Sequence, residues 1–455
     1  MSQQKFDFTE GSIQKKMVLF AGPVLIGNVL QSSYQLIDSL WIGNLMGSYA
    51  LGALTNAAPI FFAILSFMIG INSSTLTILS QQKGRNDEEG LKKSLNAFVV
   101  ILGFLSILFG IIGFFSSQLL LQLLGTPEEI LPLAKTYLQI HFIGIIFLFG
   151  YNFIGTILRA LGDSKTPIRF IILAVILNTI LDPLFIHVFG LGMEGAAYAT
   201  VISQATAFLY GLWFSIYKAN VPFTMPKLPE KRDMTTVLKL GIPGGFQMIA
   251  ISSGLVVVVG LVNSFGNDVI AGFGVAQRIE NIILLPAFTL GSVVTSMAGQ
   301  NIGAELWDRV SEIAKKGSFL IVALTLLISI LVFFGAEFLV RLFLRDGNEE
   351  TITFGAYYLK TIAFFYPFIG INFVLNGVAR SSGAMFQVLV LNIISFWVLR
   401  YPLALLFSTF WGEKGISIGI GVSFVISCVL AVLYYFFGKW REVEIFEDDK
   451  KAVVS

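Results

Sequence analysis

The sequence predicts an all-α integral membrane protein of twelve transmembrane helices, arranged as two six-helix halves related by a pseudo-twofold axis along the membrane normal. Three observations predict it. Of 455 residues, 55% are hydrophobic and 13% charged, with a mean hydropathy of +0.80. Soluble domains carry about 25% charge, so this much apolar surface needs lipid as its solvent. Apolar runs long enough to cross a ~30 Å hydrocarbon core recur along the whole chain, continuous rather than alternating at period two, which excludes a transmembrane barrel. The sequence also repeats itself at an offset of about 220 residues. The same composition excludes a soluble enzyme, a disordered chain and a disulfide scaffold. A net charge of +2 gives no case for nucleic acid, and the single Cys428, inside an apolar run, reads as a small hydrophobe.

The spans fall, in order, at 17–43, 50–79, 93–115, 130–156, 166–189 and 192–217, then at 237–263, 269–299, 316–340, 351–377, 385–409 and 415–439. The first run is too long for a signal peptide and carries Asn28, Gln31, Gln35 and Asp38. The residues before it read as a short interfacial helix. The mixed-charge stretch 83–93 reads as a solvated start of the third span. Residues 1–217 form the N-terminal half, 218–236 a cytoplasmic linker with three prolines, 237–440 the C-terminal half and 441–455 a cytoplasmic tail. The repeat pairs Pro23 with Pro243, Gln81 and Gly84 with Gln300 and Gly303, Asn152-Phe153 with Asn372-Phe373, Arg159 and Gly162 with Arg380 and Gly383, and Gly195 with Gly415. Six spans is an even number, so both halves enter the membrane the same way, a layout that suits alternating access about a cleft. Of 30 Lys and Arg residues, 23 lie in the N-terminus, the even-numbered loops and the tail. Six lie in the odd-numbered loops and their helix ends, Arg400 among them. Both termini are therefore expected in the cytoplasm of a cell whose plasma membrane holds the chain.

Three acids, Asp38, Asp182 and Glu280, fall well inside spans, with Arg278 beside the last. Each intramembrane charge costs at least ~2.5 kcal/mol on insertion scales, so each is a functional candidate. Asn28, Gln31, Gln35 and Asp38 step by three or four residues and form a polar stripe, flanked by Tyr34, that must face protein or water. Asp38 is then a functional acid or a packed acid tied to amides. Asn178 lies one turn before Asp182; together they offer hard oxygen ligands to Na⁺, or the carboxyl holds a proton. The structural alternative is an Asp beside the helix break at Pro183. Arg278 and Glu280, spaced i,i+2, do not face each other and each needs a separate partner, as a structural knot or as part of a cleft. Tyr137, His141 and Asn152 share one face of the fourth span, where His141 reads as a satisfied interior polar group. No phosphate-binding loop, metal cluster or nucleophile elbow is present, so no enzyme and no organic or metal cofactor is expected.

The chain resembles the multidrug and toxic compound extrusion (MATE) family. LFAGPVLIGNVLQSSYQLIDSLWIG opens it, TPIRFIILAVILNTILDPLFI forms the fifth span, and GMEGAAYATVIS and QRIENIILLPAFTLGSVVTSMAGQNIGA follow in the sixth and eighth. Within the family it looks most like the DinF-like branch, related to the DNA-damage-inducible protein F. That resemblance implies a cation or proton coupling site at Asp38, Asn178, Asp182 and Thr200. It also implies a surrounding substrate cavity, with Tyr137 and Asn152 matching family positions beside the stripe residues Gln31, Tyr34 and Gln35, and a first-helix bend at Pro23. One departure stands out: where the NorM-type branch has a Glu in the seventh span, this chain has Ile251. Arg278 and Glu280 are the remaining polar candidates of the second half. The expected function is a secondary antiporter, acting as a monomer among membrane lipid, that exports amphipathic, cationic organic compounds or drugs against inward H⁺ or Na⁺. A flippase for a lipid-linked precursor is the alternative, disfavoured because flippases carry several cavity cations. A membrane scaffold would have no need of costly interior acids.

Overall fold

The computed structural model describes residues 5–344 and 348–446. Fifteen α-helices make up almost all of it: α1 (Ile13–Arg85), α2 (Glu88–Leu123), α3 (Leu131–Ile143), α4 (Ile145–Ala160), α5 (Thr166–Pro183), α6 (Gly192–Tyr217), α7 (Lys231–Val262), α8 (Asn267–Ile283), α9 (Leu285–Gly303), α10 (Trp307–Phe343), α11 (Glu349–Ala363), α12 (Tyr366–Ser381), α13 (Met385–Ile393), α14 (Arg400–Trp411) and α15 (Lys414–Phe437). α1 has 73 residues, and at 1.5 Å per residue a straight helix of that length would run to about 110 Å. It breaks at Gly47, whose φ of 82° and ψ of −173° only glycine adopts easily. α1 is therefore two spans, and it runs on through Pro23 and Pro59. Among the described residues, nine helical stretches are long and apolar enough to cross a membrane. The bent pairs α3–α4 (51°) and α11–α12 (53°) raise that to eleven, and the break in α1 makes twelve.

Each fifth span carries a wide, π-type turn, Leu184–Val188 after α5 and Ile394–Leu399 between α13 and α14. Pro183 and Pro402 lie beside these turns. A proline ring crowds the carbonyl four residues back and lacks the N–H that carbonyl would accept; for Pro402 that carbonyl is Val398, inside the widened turn that accommodates it, whereas Pro183 immediately precedes its turn.

By packing, the chain divides into two compact units: one holds the described residues up to Asp7 and Leu19–Lys239, the other Phe8–Val18 and the described residues from Leu240 onward. In lipid, apolar area does not drive helices together, so close backbone approach between small residues matters more. Ala50, Ala53 and Ala57 of α1 and Ala196 and Ala197 of α6, all at most 2% exposed, pack with Met68, Leu138, Phe142 and Ile186 into the core of the first unit. The outward faces are apolar: Phe104, Phe115, Phe334 and Phe338 are more than 60% exposed, as expected where lipid replaces water.

Of the segment expected as a short interfacial helix, residues 1–4 lie outside the described residues, and no separate helix forms over the rest. Lys5–Ser12 is non-helical, and helix begins at Ile13. The backbone N–H of Phe6 donates to the Gly162 carbonyl (2.9 Å), and Lys5 Nζ to that of Ala219 (2.8 Å). In the second unit, the Arg309 guanidinium donates to the carbonyls of Phe8, Glu10 and Gly11 at 3.0–3.2 Å. These bonds hold the peptide groups that a helix would have paired internally.

Candidate functional site

Three helices of the first unit converge on one buried cluster. α6 lies so close to the end of the fifth span that a Cβ on Gly195 would come within 2.7 Å of the Phe185 carbonyl carbon. That approach carries Thr200, five residues on, to Asn178 of α5, one turn from Asp182. The polar stripe of α1 supplies Asp38. Asp38 is 6% exposed, Thr200 3%, and Asn178 and Asp182 fully buried. The amide Nδ2 of Asn178 donates to Asp182 Oδ1 (3.1 Å) and more weakly to Thr200 Oγ1 (3.4 Å). The Thr200 hydroxyl donates to Asp38 Oδ2 (3.1 Å). The two carboxyls also face each other within hydrogen-bonding reach.

The cluster holds more acceptors than donors. Asp38 Oδ1, Asn178 Oδ1 and Asp182 Oδ2 are buried with no hydrogen-bond partner, and neither acid forms an ion pair among the described residues. Two carboxylates that close in a low-dielectric interior cannot both stay ionised and bare. The three oxygens fit a bound proton or a hard cation equally well.

Of the sequence-predicted cavity residues, Tyr34 and Tyr137 stand beside this centre. Tyr34 donates its hydroxyl to the Thr200 carbonyl (3.2 Å), and Gln31 donates to Asn152 Oδ1 (3.4 Å). Tyr137 is buried, 6% exposed. The side chain of Gln35 lies outside the described residues. His141 is buried with Nδ1 on the Tyr137 carbonyl (2.9 Å) and its ring edge-on to Phe61, the satisfied interior group its sequence suggested. Tyr151 was missed from sequence; it is buried beside Asn152 and Tyr34 but looks like any aromatic in an apolar run.

The second unit differs from the sequence reading in one respect. Arg278 is exposed, because the i,i+2 spacing that turns it from Glu280 turns it out of the packed interior, so it needs no buried partner. The buried cation is Arg400, 5% exposed, its guanidinium 4.3 Å from the Phe396 ring centre and 5.1 Å from that of Phe424. It faces Glu280 electrostatically. Glu280, 4% exposed, accepts from Gln277 Nε2 (2.8 Å) and the Tyr358 hydroxyl (3.0 Å). By the repeat, at an offset of 220, Asp38 corresponds to Val258 and Thr200 to Ile420, both apolar.

The MatE family model matches the chain twice, at residues 23–184 and 243–406, which together cover more than half of it. The chain is 55% identical to the probable multidrug resistance protein YpnP of Bacillus subtilis (strain 168), over 97% of this chain and 99% of that one. It is 31% identical to the probable multidrug resistance protein YoeA of the same organism, over 95% and 96%. Among solved structures, it is similar to an outward-facing multidrug resistance MATE family transporter of the MOP superfamily, with a TM-score of 0.90 at 22% identity, over 96% of this chain and 98% of that one.

Proposed function

This chain belongs to the MatE family, whose members are membrane transporters rather than enzymes, and on that premise we propose that it is a multidrug antiporter. It exports amphipathic, cationic organic compounds across the plasma membrane, by alternating access, in exchange for inward H⁺ or Na⁺. One observation carries the coupling half of this reading: two buried acids and the amide between them hold three donorless oxygens, with no ion-pair partner among the described residues. An inward-moving ion satisfies Asp38, Asn178 and Asp182, with Thr200 bridging Asp38 to Asn178 and Asn178 bonded in turn to Asp182. The bound ion weakens the attraction of the carboxylates for a cationic cargo, and bound cargo weakens that for the ion. By linkage the two effects are equal, and that reciprocity is the thermodynamic content of antiport. Gln31, Tyr34, Gln35, Tyr137 and Asn152 give the cargo polar contacts within an otherwise apolar surround, which favours breadth over a single substrate. The names of the relatives support the multidrug reading.

The test is export of ethidium from proteoliposomes, driven in separate experiments by a pH gradient and by a Na⁺ gradient. Export under one of them supports the reading and names the ion. Ethidium flux indifferent to both gradients sinks it.

A further inference from the structure

A cavity of about 340 Å³ lies wholly within the first unit, away from the acid cluster. Val99 and Gly103 of α2, Phe149 and Phe153 of α4, Phe208 of α6 and Pro226 of the linker outline it. Only Ser106 and Thr224 among its lining residues carry polar side chains, and the Ser106 hydroxyl is spent on the Gly103 carbonyl (2.8 Å). Pockets that discriminate drug-like ligands have a few convergent polar groups. This one lacks them, and its chemistry suits a hydrocarbon chain.

Its floor is built. Asn96 and Lys227 exchange two hydrogen bonds, Asn96 Nδ2 to the Lys227 carbonyl (2.8 Å) and the Lys227 N–H to Asn96 Oδ1 (2.9 Å). These pin residues 223–226 beneath the helices. Lys93 forms an ion pair with Glu230 (3.3 Å), whose carboxylate pushes the Lys93 pKa up. Three further cations flank the floor without an acid partner among the described residues. Lys227 follows Pro226, Lys218 lies two residues past Ile216, and Lys92 precedes Val99 by seven residues, hence on the same face of α2. Lys92 sits about 10 Å below Val99 along the helix, the offset expected between a headgroup and the upper part of its chain. Basic residues beside an intramembrane pocket favour anionic lipid.

We infer that this cavity is a binding site for one anionic phospholipid, its acyl chain between α2, α4 and α6 and its phosphate at Lys92, Lys218 and Lys227. The test is native mass spectrometry of the full-length chain with palmitoyl-oleoyl phosphatidylglycerol and, separately, the matching phosphatidylethanolamine. A side chain at Gly103 would enter open space, with no atom within 4 Å of its Cβ. Gly103→Leu therefore fills the cavity without a clash and should weaken retention of the phosphatidylglycerol about tenfold or more. Phe104→Leu, on the exposed side of the same helix, should not. Equal retention by wild type and Gly103→Leu overturns the inference, as does equal retention of the two lipids by wild type. A second measurement needs no variant: phosphatidylglycerol with a diazirine in its acyl chain should label wild type at the cavity-lining residues Val99, Leu102, Gly103 or Ser106 and within 223–226. Labelling confined to outward residues such as Phe104 and Ile107, or displaced by ethidium, overturns it too.

Discussion

Asp38 and Asp182 act, in this reading, as one titratable unit. Replacing either with Asn preserves shape and removes only the exchangeable charge. Asp38→Asn should abolish gradient-driven export at unchanged membrane abundance, Asp182→Asn should do the same, and the double variant should be little worse than either, since groups acting as a unit are not additive. Ethidium export by the three variants checks this, and near-normal export by Asp38→Asn removes the first unit from coupling. Arg400 poses a different question. Arg400 forms no ion pair among the described residues, but it is buried against the Phe396 and Phe424 rings and faces Glu280 electrostatically, and Leu removes both. Arg400→Leu should thus lower the melting temperature of the purified protein sharply, whereas exposed Arg278→Ala should stay within about 0.5 kcal/mol of wild type. Both acids were legible in sequence because an intramembrane carboxylate is costly enough to mark itself. Arg400 was not: it follows a long apolar run and precedes Tyr401-Pro402, so it looked like a span-end cation. Only the packing of Phe396 and Phe424 around it shows otherwise.

These side chains meet because helices approach or break at particular points. Gly195 and Gly415 occupy equivalent positions, each where a sixth span presses on the fifth, the first against the Phe185 carbonyl and the second against that of Phe407. An added methyl forces the helices apart, and overpacking of this kind costs about 1–3 kcal/mol. Gly195→Ala should therefore shift Thr200 away from Asn178 and Asp38 and weaken ion binding, while Gly415→Ala should lower stability and leave ion binding by the first unit intact. Isothermal titration of each purified variant, with Na⁺ or by proton uptake, separates the two outcomes. Equal loss of ion binding in both would mean that helix spacing near Thr200 is not what the glycine secures. The repeated glycines were legible as a pattern, but their cause was not, since close approach is a property of two helices. The bends are harder still. Residues 130–156 read as one apolar run, yet the chain turns by 51° between α3 and α4 at Gly144. The N-terminal segment has the composition of an interfacial helix, but carbonyls and amides distant in sequence claim its hydrogen-bonding groups first.

Across the whole chain, two copies of one six-span plan have diverged in chemistry. The first holds Asp38, Asn178, Asp182 and Thr200; the second has Val258 and Ile420 where the first has Asp38 and Thr200, and its buried charges, Glu280 and Arg400, lie at other positions. Similar backbones with different interiors were readable because the repeat survives at glycines and prolines, which geometry dictates, while the polar positions follow the task of each copy. Even numbers of spans in each copy also fix how every loop is sided once one is known. From the excess of Lys and Arg in the N-terminus, the even loops and the tail we propose that this side is cytoplasmic. Single cysteines test it in a Cys428→Ser background, where the one native thiol, buried in α15, is removed. Exposed positions are needed, so that silence reports sidedness and not burial. Glu128→Cys and Glu350→Cys lie at exposed residues on the side predicted to be external, and Lys83→Cys and Leu228→Cys at exposed residues on the other. An impermeant maleimide applied to intact cells should label the first two and spare the second two, and all four should react once the membrane is opened. The reverse pattern would place the linker and the lysines at the floor of the apolar cavity outside the cell, and would overturn the orientation read from the Lys and Arg distribution.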